Sequence, residues 1–177
     1  MKKTLLFAFF WSIILSTMQQ VTAVIFSWRT LPLLEMPLIT LVFMIVLGVN
    51  FRLIIITSCL TGFFLDLWSG SNFGAIMASL TFTILISFKI FQYLLTNKSI
   101  LALLILGTLA TILFRLLIFL INLADFLKTP ELIYITLAEM SIRSIIQIAF
   151  HSIVLLLFFL ITRILSKHFH HHYLRMS

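Results

Sequence analysis

Few side chains in this sequence can move a proton, hold a metal or carry a charge inside an apolar environment. Asp66 lies in "GFFLDLWSGSNFG", Arg115 in "LATILFRLLIFLI", and His151 is the only histidine within an apolar run; four more, His168, His170, His171 and His172, crowd the end of the chain. For catalysis these groups would have to come in pairs, such as a nucleophile beside a base or two carboxylates facing one bond. The spacing provides no such pair. There is no H-E-x-x-H run to make His151 a zinc ligand, no phosphate-binding loop and no nucleophile elbow. His151 is therefore expected to be a packed, hydrogen-bonded histidine. The chain is expected to be noncatalytic, with no metal and no cofactor. Cys59 is the single cysteine, which excludes an intramolecular disulfide and a thiolate zinc cluster.

Asp66 and Arg115 need elements that can house a charge. Of 177 residues, 62% are hydrophobic and 10% charged, a composition whose solvent is the bilayer. Apolar runs extend over 4–26, 31–49, 53–68, 73–95, 100–121 and about 142–164. A helix needs roughly 20 residues to cross the hydrocarbon. The second and third runs are short, but joined as one helix they would far exceed the roughly 30 Å core. Gly48, Asn50 and Arg52 also punctuate their middle, so a tight turn over 48–52 is predicted. The runs are continuously apolar, without the alternation of a barrel strand. The expected fold is thus all-α, a single polytopic membrane domain over 1–177 with six transmembrane helices. The beginning, "MKKTLLFAFFWSIILSTMQQVTA", has the outline of a signal peptide; because apolar character resumes through Phe26, a retained first span is the expectation.

The net charge of +7 is scattered between apolar runs, which argues against nucleic-acid binding. With six spans and a cytoplasmic N-terminus, Lys2, Lys3, Arg52, Lys89, Lys98, Arg163, Lys167 and Arg175 fall on the cytoplasmic side, and Arg29, Lys128 and Arg143 outside. This bias follows the positive-inside rule and predicts both termini in the cytoplasm. Residues 122–140 form the longest external loop, with Thr129-Pro130-Glu131 as a helix start that can lie in the interface. Residues 165–177 form a cytoplasmic His-rich tail. Glu139 and Arg143, four apart, are spaced for a helical ion pair.

Within the spans, Gly62 precedes Asp66 by four residues and shares its helical face, where it lets a neighbouring helix approach; Gly70 and Gly74 allow the chain to turn back. Two roles are open to Asp66: hydrogen bonding to the backbone that follows it, or pairing with a partner in the outer part of the membrane. Arg115 is the expected internal partner, and the alternative is that it snorkels to the headgroups.

The stretch "PLLEMPLITLVFMIVLGVNFR", then "GFFLDLWSGSNFG", then "LLILGTLATILFRLLIFL", resembles the MreD family of rod-shape membrane proteins, over roughly residues 32–121. Gly62, Asp66, Ser69, Gly70, Phe73 and Gly74 fall on that family's glycine-and-aspartate pattern between its third and fourth spans. The resemblance implies a noncatalytic scaffold in the bacterial inner membrane that, besides membrane lipids, contacts an MreC-like bitopic protein and the peptidoglycan elongation synthases. It also implies an alternative, because the family is similar to the substrate-binding subunits of energy-coupling-factor vitamin transporters. Asp66, Trp68, Asn72 and Arg115 would line the pocket of such a subunit.

Overall fold

The computed structural model describes residues 2–25, 35–69, 72–94, 99–126, 144–162 and 164. They form six helices, named here α1 (Lys2–Ile25), α2 (Met36–Leu47), α3 (Phe51–Trp68), α4 (Ala75–Leu94), α5 (Ile100–Phe126) and α6 (Ser144–Thr162). There is no strand among the described residues. Five helices are long and apolar enough to cross a membrane, and the chain is a polytopic membrane protein. Such helices satisfy the hydrogen bonds of their own backbone, as the bilayer demands.

α2 departs from expectation. A span was expected over 31–49, but the helix has only 12 residues, about 18 Å at the α-helical rise, against a hydrocarbon core of roughly 30 Å. The cause lies at its start: Pro37 stands in the first turn, where its fixed φ and missing N–H suit the opening of a helix. α2 is also the most enclosed element. Leu38, Leu41, Val42 and Ile45 are buried against Ile54 of α3, Leu80 and Ile84 of α4, Leu103 and Leu106 of α5, and Leu155 of α6.

The turn between α2 and α3 is the predicted one. Gly48 adopts φ 78°, its N–H donates to Ile45 O and that of Val49 to Met44 O, which is a Schellman ending that only glycine enters without strain. Asn50 then opens α3, its Oδ1 accepting from the Arg52 N–H at 3.1 Å.

α1 lies along α3, where Ser12 Oγ donates to Ala8 O (2.7 Å) and to Thr57 O (3.2 Å), and Phe9 meets Phe64 edge-on. α3 and α4 pack most closely at Gly62, where a Cβ would stand 2.5 Å from Met77 Cα. α6 joins through α5, where Leu155 fills the space above Gly107, and through α2, where Phe158 meets Phe43. α5 continues to Phe126, so the first residues of the expected 122–140 loop are helical. The rest of that loop, the Glu139–Arg143 pair, Gly70 and the His-rich tail lie outside the described residues.

Candidate functional site

One end of the bundle gathers the close of α1, the start of α2, the α3–α4 connection, the later part of α5 and the start of α6. Two polar constructions stand there. The first is the predicted turn. Asp66 is buried near the end of α3, and its two carboxylate oxygens accept from the N–H groups of Ile76 and Met77, each at 2.9 Å. These are first-turn amides of α4, which no carbonyl of their own helix can satisfy, and a carboxylate also complements the positive end of the helix dipole. Ser69 closes α3: its N–H donates to Leu65 O at 2.9 Å, and its Oγ to Asp66 O at 3.3 Å. Gly74 takes φ 89°, as a turn back into α4 requires. Asn72 Nδ2 donates to Asn122 Oδ1 at 3.2 Å, tying the connection to α5. Phe73 is exposed and meets Phe63 edge to face.

The expected Asp66–Arg115 pair is not formed. The Asp66 carboxylate is engaged by α4 amides, whereas Arg115 Nη2 lies 3.2 Å from Glu35 Oε1 and its Nε donates to Gln147 Oε1 at 2.7 Å. The two backbone donors sit ten and eleven residues from Asp66 along the chain, beside the close approach of Gly62 to Met77. Arg115 is held inside the bundle, its side chain 24% exposed and that of Glu35 15%.

The Glu35–Arg115 pair belongs to the second construction, built around the buried start of α2. A helix that begins within a bundle leaves amides with no carbonyl to bond. The Glu35 N–H donates to His151 Nε2 (3.1 Å) and the Met36 N–H to Gln19 Oε1 (3.0 Å), while Pro37 has no N–H to satisfy. Because His151 Nε2 accepts, the ring is the neutral tautomer with its proton on Nδ1. That nitrogen lies 2.9 Å from Thr111 Oγ1, whose own hydrogen goes to Gly107 O at 2.8 Å. His151 is thus the hydrogen-bonded histidine its surroundings predicted. Among the described residues no group of three or more His, Cys, Asp or Glu is placed to hold a metal.

Sequence reasoning passed over Glu35, Gln19, Thr111 and Gln147. A signal was present for most of them: Thr111 with Arg115, and Gln147 with His151, are polar pairs four residues apart, each on one face of an otherwise apolar helix. Glu35 is a lone carboxylate two residues before a proline in an apolar run.

Beside this network lies a cavity of about 200 Å3 bounded by α1 to α5. Its polar wall is Gln19, Gln20, Glu35 and Ser69, and its apolar wall includes Leu38, Leu80, Phe114 and Ile118. Asp66, Trp68, Asn72 and Arg115, expected to line a pocket, are not among its lining residues. Glu35 Oε2 is buried and has no hydrogen-bond partner among the described residues. Against known protein families, curated proteins and solved structures, the chain finds no match.

Proposed function

We propose that the chain is a noncatalytic membrane scaffold of the bacterial cell-elongation system, the role implied by its MreD-like "GFFLDLWSGSNFG". The observation that carries this reading is how that stretch is used. Asp66, Gly62 and Gly74 all serve the joint between α3 and α4, while Trp68 and Phe73 are left exposed at the same end. A rigid hairpin presenting aromatic side chains suits a contact surface, since aromatics dominate the buried centres of interfaces. His151, Gln147 and Arg115 are tied into the start of α2, an arrangement that favours holding a shape over chemistry.

In this reading the protein sits in the bacterial cytoplasmic membrane with both termini inside, the Glu35 end faces outward, and its partners are an MreC-like bitopic protein and the peptidoglycan elongation synthases. Arg52 and Lys89 stand at the opposite end of the bundle, in keeping with that orientation. The transporter alternative is less favoured: the cavity beside Glu35, about 200 Å3, is smaller than the roughly 300–1,000 Å3 of sites for drug-sized ligands, and the larger one of about 380 Å3 between α1, α2 and α6 is lined almost wholly by apolar side chains, without the converging polar groups such a site needs.

The test is depletion in a rod-shaped host, with rescue by the wild-type chain or by Trp68→Ala/Phe73→Ala, two changes at exposed side chains that leave the buried core intact and remove only the surface contact of Phe73 with Phe63. Depletion should round the cells, and the double variant should reach wild-type membrane levels yet capture less bitopic partner and restore shape poorly. Rod-shaped cells with impaired vitamin uptake would overturn the scaffold in favour of transport.

A further inference from the structure

Between α1, α2 and α6 runs a groove of about 380 Å3. Ile14 and Met18 of α1, Leu47 of α2 and Ile161 of α6 line it and are each about half exposed, so it opens onto a face that the bilayer covers. The hydroxyls on its wall are turned onto their own helices: Thr40 Oγ1 donates to Met36 O and Thr162 Oγ1 to Phe159 O, each at 2.9 Å. The indole nitrogen of Trp11 is buried, so that ring meets the groove through carbon. Such a wall asks for hydrocarbon.

The size of the groove decides which hydrocarbon. Its walls run from Trp11 to Met18 on α1 and from Thr40 to Leu47 on α2, about 10 Å each at the helical rise. A helix about 10 Å across would need roughly 800 Å3 over that length, twice what the groove holds. A second protein chain would also require about 800 Å2 on this side for a stable interface, far more than a groove of this size offers. An acyl chain is narrower, and it is already the solvent of these helices. Charge then favours a lipid with a phosphate. Arg52 is exposed at the start of α3, five residues beyond Leu47 across the Gly48 turn, and its guanidinium can take a phosphate at that end of the groove in a bidentate pair.

We infer that the groove between α1, α2 and α6 is a binding site for one phospholipid, with an acyl chain lying along Ile14, Phe43 and Phe158 and the phosphate on Arg52. The site goes beyond the scaffold role and does not depend on it.

The full-length protein in mild detergent would be titrated with phosphatidylglycerol or diacylglycerol and read by native mass spectrometry. Ile14→Trp and Leu47→Trp fill the groove from half-exposed positions; Ile112→Trp, at an equally exposed position of α5 outside the groove, is the control. Wild type and Ile112→Trp should keep one phosphatidylglycerol at collision energies that strip the rest, and whichever filled variant folds should keep none. Arg52→Gln should weaken retention roughly fivefold, the worth of one basic side chain beside an anionic lipid. Equal retention by wild type, filled variants and control would reduce the lipid to a nonspecific annulus and overturn the proposal. A dimer mass that the filled variants lose would give the groove to a second copy instead, and diacylglycerol held by the wild type as firmly as phosphatidylglycerol would remove the phosphate; either result sinks it.

Discussion

Asp66, buried, and Glu35, largely enclosed, are carboxylates at the same end of the bundle, yet each is satisfied by a different kind of partner. Asp66 binds backbone amides ten and eleven residues ahead, across one turn. Glu35 meets Arg115 on α5, and its own N–H meets His151 on α6, 116 residues away. The first arrangement needs only a hairpin. The second needs α1, α5 and α6 around α2, and it exists because α2 is short and starts inside the bundle. Burial alone therefore does not tell what a membrane carboxylate does; the helix terminus it serves does.

The largest effect expected from breaking this contrast lies at the ion pair. Glu35→Ala or Arg115→Ala should each cost about 3 kcal/mol, the low end for a buried pair because both side chains keep some exposure, and the double variant should cost less than their sum. Unfolding in mixed detergent and denaturing micelles would read the cycle. Asp66→Ala combined with Arg115→Ala should be additive, and strong coupling there would mean that the two regions act as one.

Next in size is the α3–α4 hairpin. Gly62→Ala puts a Cβ 2.5 Å from the Met77 backbone, which cannot swing aside as a side-chain tip can, and should cost about 1–3 kcal/mol. Gly107→Ala, facing only the end of Leu155, should cost less in the same assay. Asp66→Asn should fall below Asp66→Ala, since an amide keeps one acceptor for the two N–H groups; losing both bonds is worth about 1–3 kcal/mol. Equal losses from Asn and Ala would show that the negative charge, through the helix dipole, matters more than the bonds.

What the sequence disclosed follows the same division. The helices are written as unbroken apolar runs and the turn at Gly48 is a local pattern, so both were legible; the backbone cap of Asp66 was one of the two roles its position left open. The partner of Arg115 was not. Spacing along the spans put Asp66 and Arg115 at one expected depth, but which helix faces which cannot be read from spacing. The length of α2 was misjudged because the apolar letters continue upstream of Glu35 while the helix begins at Met36. Thr111 with Arg115, and Gln147 with His151, marked polar faces on two helices; only the fold brings those faces to Glu35.

The distance from Glu35 to His151 also sets a clock. A ribosome adding about 5–20 residues each second needs roughly 6–23 s to travel those 116 residues. Over that interval the hairpin of α3 and α4 can already close, since both of its partners have been made, and the Met36 N–H already has Gln19, whereas the Glu35 N–H waits for α6. The newborn chain therefore passes through a stage with one corner finished and the other still open, and the arrival of α6 completes it.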